Sequence, residues 1–153
     1  MTTRAQATDP ALTCRLLAGE GVPSKDSVGV RFVLTNAGSQ VVHVLDWYTP
    51  LEGMRSDMFK VTQGSTALAY QGPLIKRGQP RRESYRTIEP GESLARQVDL
   101  ARYYDFGPQG TYTVALDTRI HDVVLKASEL PRARSGHVAL ELECESLRIE
   151  ISR

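Results

Sequence analysis

Apolar and polar positions alternate along short stretches of this chain, and that pattern predicts strands rather than helices. Val28, Val30, Phe32 and Leu34 alternate with Gly29, Arg31, Val33 and Thr35, which is a period of two with one apolar face. Leu12 to Ala18 reads as an earlier strand. Asn36-Ala37-Gly38 is a turn signal, and Val41 to Leu45 resumes a strand, so a hairpin is expected there. Phe59 to Gln63 and Ala67 to Tyr70 form a further strand pair around Gly64-Ser65. Tyr85 to Ile88 and Ser93 to Val98 flank a Pro90-Gly91 turn. Leu100 to Phe106 fits a single helical turn, and Tyr112, Val114 and Leu116 mark another strand. Asp117 to Leu125 is a strand candidate, and Lys126 to Gly136 a polar connection.

Near the C-terminus the phase changes. Val138, Leu140, Leu142 and Cys144 share one parity, and Leu147, Ile149 and Ile151 the other. A slip of one residue would turn the apolar face outward, so a bulge or a change of sheet is expected at Glu145-Ser146. No segment longer than about ten residues keeps a helical period. Many short strands between Gly/Pro turns predict an all-β fold: an immunoglobulin-like antiparallel β-sandwich with a long charged insertion loop. A small barrel is the alternative.

Length and composition narrow this picture. With 153 residues the chain suits one domain, expected over residues 10–153, after a flexible polar tail at residues 1–9. Apolar content of 41% and charged content of 24% are ordinary for a globular protein. A net charge of +1 argues against general nucleic-acid or membrane-surface binding. The polar N-terminus is not a secretory signal, and no apolar run approaches the ~18 residues of a membrane span. Read as native, that N-terminus implies a cytoplasmic protein. Cys14 and Cys144 are too few for a disulfide scaffold or zinc ribbon. The alternatives are two buried free thiols, the reading that suits the cytoplasm, and a bond closing a very long loop.

No catalytic signature accompanies these strands. His43 is a lone strand histidine, His121 and Asp122 point to opposite faces of a strand, and His137 follows Gly136 at a strand start. There is no H-E-x-x-H, G-x-S-x-G, phosphate loop or dinucleotide motif, and neither cysteine has an activating neighbour. A non-enzymatic protein with no cofactor is expected. Two stretches point to binding. Tyr70, Gly72, Pro73, Leu74, Lys76, Arg77, Arg81 and Arg82 belong to a long charged loop, a solvated insertion or a guanidinium-rich recognition surface. Trp47, Tyr48, Pro50, Leu51 and Met54 form an apolar run of binding hot spots or of core anchors.

The order of several short motifs also resembles the N-terminal pro-domain of deuterolysin-type (aspzincin) zinc endopeptidases, in the peptidyl-Lys branch. The carriers are Leu34-Thr35-Asn36 with Gly38; Trp47, Thr49, Pro50, Leu51, Glu52 and Gly53; and Tyr70, Gly72, Pro73, Lys76 and Arg77. Ile88, Pro90, Gly91, Glu92 and Ser93 continue it, and Tyr104, Asp105, Gly110, Thr111, Tyr112 and Val114 close it. The resemblance runs from about Leu12 to Leu116, and the zinc-binding H-E-x-x-H of that family is not in this sequence. It implies a β-sandwich that occludes or chaperones a zinc metalloprotease as an inhibitor or pro-domain-like protein, without protease activity of its own. The competing expectation is a structural or adaptor module with a non-protease partner.

Overall fold

The computed structural model describes residues 11–152; the expected tail at residues 1–9 lies outside them. Among the described residues all regular structure is β-strand and short 3-10 turns. Among the same residues no helix is long and apolar enough to cross a membrane.

Strands β1 (Leu12–Ala18), β2 (Gly29–Asn36) and β7 (Ser93–Asp99) form one antiparallel sheet with β2 in the middle. Its centre has the cleanest alternation in the sequence: Val30, Phe32 and Leu34 are fully buried while Arg31 is exposed. A four-stranded sheet runs β12 (Leu147–Ile151), β8 (Gly110–Leu116), β4 (Phe59–Gln63), β5 (Thr66–Ala67). Its buried face carries Tyr112, Val114, Phe59, Val61, Ile149 and Ile151, which join the β2 residues in one apolar core. A third sheet places β3 (Val42–Leu45) between β10 (Val123–Val124) and β6 (Tyr85–Ile88). Both faces of β3 are covered, so all four of its residues are buried. The short pair β9 (Arg119–Ile120) and β11 (Leu140–Glu141) completes the set. The molecule is all-β with several antiparallel sheets and is not a closed barrel.

The structure departs from the expected connections where local turns are overruled by the core. β2 and β3 do not form a hairpin: β2 pairs with β1 and β7, β3 with β6 and β10. Asn36 explains the separation. Its fully buried amide Nδ2 donates to the carbonyls of Gln40 (2.8 Å) and Ile88 (2.9 Å), and Oδ1 accepts from the Gly38 N–H (3.0 Å). The chain is thereby lifted off one sheet and set onto the next. Pro90-Gly91 likewise links different sheets. Pro at the second turn position, Gly91 at φ 80° and the Glu92 N–H to Glu89 C=O bond of 2.9 Å make a type II turn. The expected strand at Asp117–Leu125 is broken into β9 and β10, because Asp122 turns inward between them. At Glu145-Ser146 the phase slip does separate two sheets, since β11 pairs with β9 and β12 with β8.

Of the two alternatives for the cysteines, the structure has the bond. Cys14 and Cys144 are disulfide-bonded, with Cα atoms 5.0 Å apart and 130 residues between them in sequence. The two cysteines sit on core-packed segments, one in β1 and one just before β12. That position ties the first strand to the last. A cross-link of this span removes conformational freedom chiefly from the unfolded chain, worth about 5 kcal/mol in the chain-entropy account. The C14S/C144S double variant is expected to lose about 3–5 kcal/mol in urea denaturation, and the native chain to match it once dithiothreitol is added.

Candidate partner-binding surface

The Trp47–Met54 run folds inward. A turn starts at Asp46, whose carbonyl accepts from the Thr49 N–H (3.2 Å) and hydroxyl (2.8 Å). Thr49 then caps a 3-10 turn at Pro50–Glu52 by accepting from the Leu51 N–H at 3.2 Å, with proline at its first position. Gly53 ends that turn at φ 87°. The consequence is that Trp47, Pro50, Leu51 and Met54 are all buried. Of the two expectations for this run, hot spot or core anchor, their burial fits the core anchor. Tyr48 is half-buried, with its ring 4.6 Å from that of His121 and its backbone at φ 63°.

Glu52 is the useful product of this turn. Its side chain accepts from the Tyr48 N–H at 2.7 Å and forms an ion pair with Arg77. The Arg77 guanidinium also lies 5.0 Å from the centroid of the Trp47 ring. Both charged side chains are largely withdrawn from solvent, 15% exposed for Arg77 and 8% for Glu52. Arg77 is therefore a strut, not a recognition fork, and its Nε finds no hydrogen-bond partner. Nearby Asp46 is half-buried. Burial first, and then the Glu52 charge, push its carboxyl up to about 6 against three arginines.

Other bonds fix the remainder of the charged loop. The Tyr70 hydroxyl donates to the Pro73 carbonyl at 2.7 Å, and its ring packs 6.3 Å from Tyr103 and 5.6 Å from Tyr104. Gly72 lies so close to Tyr70 and Tyr103 that a Cβ would sit 2.5 Å from the Tyr70 hydroxyl oxygen and 2.6 Å from a Tyr103 ring carbon, so any side chain there would force the tyrosines to shift. The Gln71 N–H donates to Tyr103 C=O (2.8 Å) and the Ile75 N–H to Arg55 C=O (3.0 Å). Arg134 reaches across to the Arg77 carbonyl at 2.7 Å, and its N–H donates to Gln79 at 2.9 Å. Exposed above this frame are Pro73, Leu74, Ile75, Lys76, Arg81 and Arg82. Leu74 is 70% exposed, a large value for an aliphatic side chain.

A polar cluster that the sequence reading missed supports the frame from behind. Asp122 is fully buried. It accepts from Arg132 Nη2 (2.6 Å) and Nε (3.2 Å), from the Tyr85 hydroxyl (2.6 Å) and from the Val138 N–H (2.8 Å). Burial by itself raises its carboxyl, but the bonds from Arg132, Tyr85 and Val138 outweigh it and hold the group below the usual carboxylate range. His137 Nε2 lies 3.9 Å from the same carboxylate and donates to Arg132 C=O at 3.0 Å. Arg132 lay in what read as a plain polar connection. The available signal was Asp122 itself, an acid set directly before the apolar Val123-Val124 pair. The other two histidines stay apart: His43 pairs with Thr87 at 2.8 Å, and the His121 ring packs at a 40° tilt against Tyr48. Among the described residues no group of three or more His, Cys, Asp or Glu is placed to hold a metal ion.

No protein-family model matches the chain. Two curated proteins have a region similar to it. One is named "Extracellular protease", from Aeromonas hydrophila, 35% identical over 103 residues that make up 67% of this chain and 29% of that protein. The other is named "Neutral protease 2 homolog", from Uncinocarpus reesii, 24% identical over 94 residues, 60% of this chain and 26% of that protein. The chain thus corresponds to less than a third of each relative, and is similar to a region of protease-named proteins.

Two measurements check the frame. Arg77→Ala leaves Glu52 withdrawn from solvent without its partner and removes the cation from Trp47. It is expected to cost about 3 kcal/mol in chemical denaturation, against no more than about 0.5 kcal/mol for Lys76→Ala. Asp46, raised when folded, gives stability that is full below its unfolded pKa near 3.8 and declines as pH rises to about 6. Asp46→Asn is therefore expected to melt with the native chain near pH 4 and above it at pH 7, by about 1 kcal/mol once solvent screening is allowed for.

Proposed function

We infer that this chain is a non-catalytic, pro-domain-like module that binds a zinc endopeptidase of the deuterolysin type and occludes or chaperones it. The single observation that carries this reading is the braced loop at residues 70–82. An exposed Leu74, Ile75 and Lys76 stand on a frame of buried anchors. Similarity to regions of two protease-named proteins supplies the partner class. In this reading the binding surface is Tyr70, Pro73, Leu74, Lys76, Arg81 and Arg82. Gly72 and Arg77 shape it from within.

The fold suits such a role as an immunoglobulin-like sandwich. The β1-β2-β7 and β12-β8-β4-β5 sheets contribute to one core, and the Cys14–Cys144 bond joins β1 to the segment leading into β12. That bond also favours an oxidising compartment over the cytoplasm. Partner chemistry follows from the exposed residues: an apolar subsite for Leu74 with acidic ground around it for Lys76, Arg81 and Arg82.

Titrating a purified deuterolysin-type endopeptidase with the chain is the direct test. Peptide hydrolysis is expected to fall in a saturable, dose-dependent way. Unchanged hydrolysis and an unchanged refolding yield of the protease at micromolar excess would sink the reading.

A further inference from the structure

Beside the Asp122 cluster the surface carries a hollow of about 350 Å³. Its walls are aliphatic: Val123 from β10, Leu125 just after it, Val138, and Leu140 from β11. Val138 is 58% exposed and Leu125 37%, so two large apolar side chains stand open to solvent in one place. The main chain holds them there. The Val138 N–H donates to Asp122 at 2.8 Å, and its carbonyl accepts from the Val123 N–H at 3.1 Å. The Val123 carbonyl in turn accepts from Arg132 Nη2 at 2.7 Å. Val138 could turn inward only by giving up a bond to a buried carboxylate. The hollow is therefore preformed, and its walls need little ordering when something enters it. Charged side chains rim it, and their bonds leave one free. Arg132 is engaged by Asp122 at 2.6 Å and by Glu129 at 3.3 Å, which offsets the Glu129 charge. Among the described residues the Lys126 side chain has no ion pair or hydrogen bond. The Arg82 guanidinium lies 3.5 Å from the carbonyl of Ala127, the residue after Lys126, so a second cation stands close by.

We propose that this hollow is a binding subsite for an aliphatic side chain of the partner endopeptidase, with a carboxylate next to that side chain meeting Lys126. The inference deepens the reading above and rests on it. Arg82 belongs to the binding surface named there, so the hollow continues that surface. Size favours one or two side chains over a cofactor, because ligand pockets run from roughly 300 to 1,000 Å³ and this one is at the low end. Charge selects what stands beside the aliphatic residue. An acidic neighbour on the partner gains Lys126. A basic neighbour meets Lys126 and Arg82, and the one acid on the rim is already held by Arg132. The buried Asp122 network thus has a use at the surface: it keeps Val138 turned outward as one wall of the subsite.

Val138→Asn puts an amide on the apolar wall and keeps the backbone bonds, and Lys126→Glu reverses the free charge. Val22→Asn is the control, altering an 83% exposed apolar residue in the β1–β2 connection. Binding of each chain to a deuterolysin-type endopeptidase is measured by titration calorimetry. A melting curve is taken for each variant, and the native chain alone is sedimented over a range of concentrations. Binding is expected to weaken about tenfold or more for Val138→Asn and for Lys126→Glu, and to be unchanged for Val22→Asn. If Val138→Asn melts early, Lys126→Glu decides, because its side chain has no bond to lose. Native affinity in either variant that melts normally overturns the subsite and leaves the protease-binding reading standing. Self-association of the native chain that Val138→Asn abolishes assigns the hollow to a second copy, and overturns the subsite in the same way. Absence of binding by the native chain overturns both.

Discussion

Asp122 is the charge around which one side of this molecule is organised. A buried carboxylate without partners is intolerable in an apolar interior, so its surroundings are constrained to supply donors. Three elements do so: Arg132 from the connection after β10, Tyr85 from β6, and the Val138 N–H ahead of β11. Its own backbone carbonyl accepts from the Leu45 N–H of β3 at 3.0 Å. Removing any one donor leaves the charge short, which makes the group act as a unit. Its folded state favours ionisation, so its contribution to stability is present above the unfolded carboxylate range and is lost as pH falls through the depressed folded value.

The consequences reach the exposed loop through a short series of contacts. Tyr85 packs with Leu45, Trp47 and Val124 in a small second core, with Tyr48 and Leu130 at its margin. Trp47 presents its ring to Arg77, and Arg77 anchors the loop to Glu52. From the other direction, Arg132 holds the connection that also carries Arg134, and Arg134 binds the carbonyls of Arg77 and Gly78. Asp122 and the loop are thus two ends of one braced assembly. The acid fixes the connection, the connection fixes the loop from one side, and the aromatic core fixes it from the other. Cationic side chains have opposite fates here. Arg77, Arg132 and Arg134 are used as struts, whereas Lys76 and Arg81 point free into solvent.

Most strand positions were legible because period-two alternation is a local property. The bounds of β1, β4 and β6 agree with the alternation read from the chain, and the parity change near Glu145 marked a real change of sheet. Pairing was not legible in the same way. Asn36-Ala37-Gly38 has the composition of a hairpin turn, but the Asn36 amide binds carbonyls of two other segments, and sequence adjacency carries no information about those. The Trp47 run shows the same limit from the side of burial. Trp, Leu and Met suit a hot spot and a core equally, and only the capped turn at Thr49–Gly53 decides which way they face. Arg132 and Cys144 were hidden because their partners lie 10 and 130 residues away.

These constraints bear on what kind of binding the molecule can support. A loop whose ends were free would have to be ordered by its partner, and the entropy of ordering would subtract from affinity. Here that cost is met at folding, by an ion pair, a cation over an aromatic ring and a glycine that admits two tyrosines. Such elements hold an exposed leucine in water at a loss to the isolated domain, since Leu74 gains nothing from its 70% exposure. The loss is recovered when a complementary surface covers it. Rigidity also bears on survival against a protease, because a pinned segment resists the local opening that cleavage requires. The same bonds that hold Pro73 and Arg77 in place while leaving Leu74 exposed therefore oppose cleavage of the segment between them.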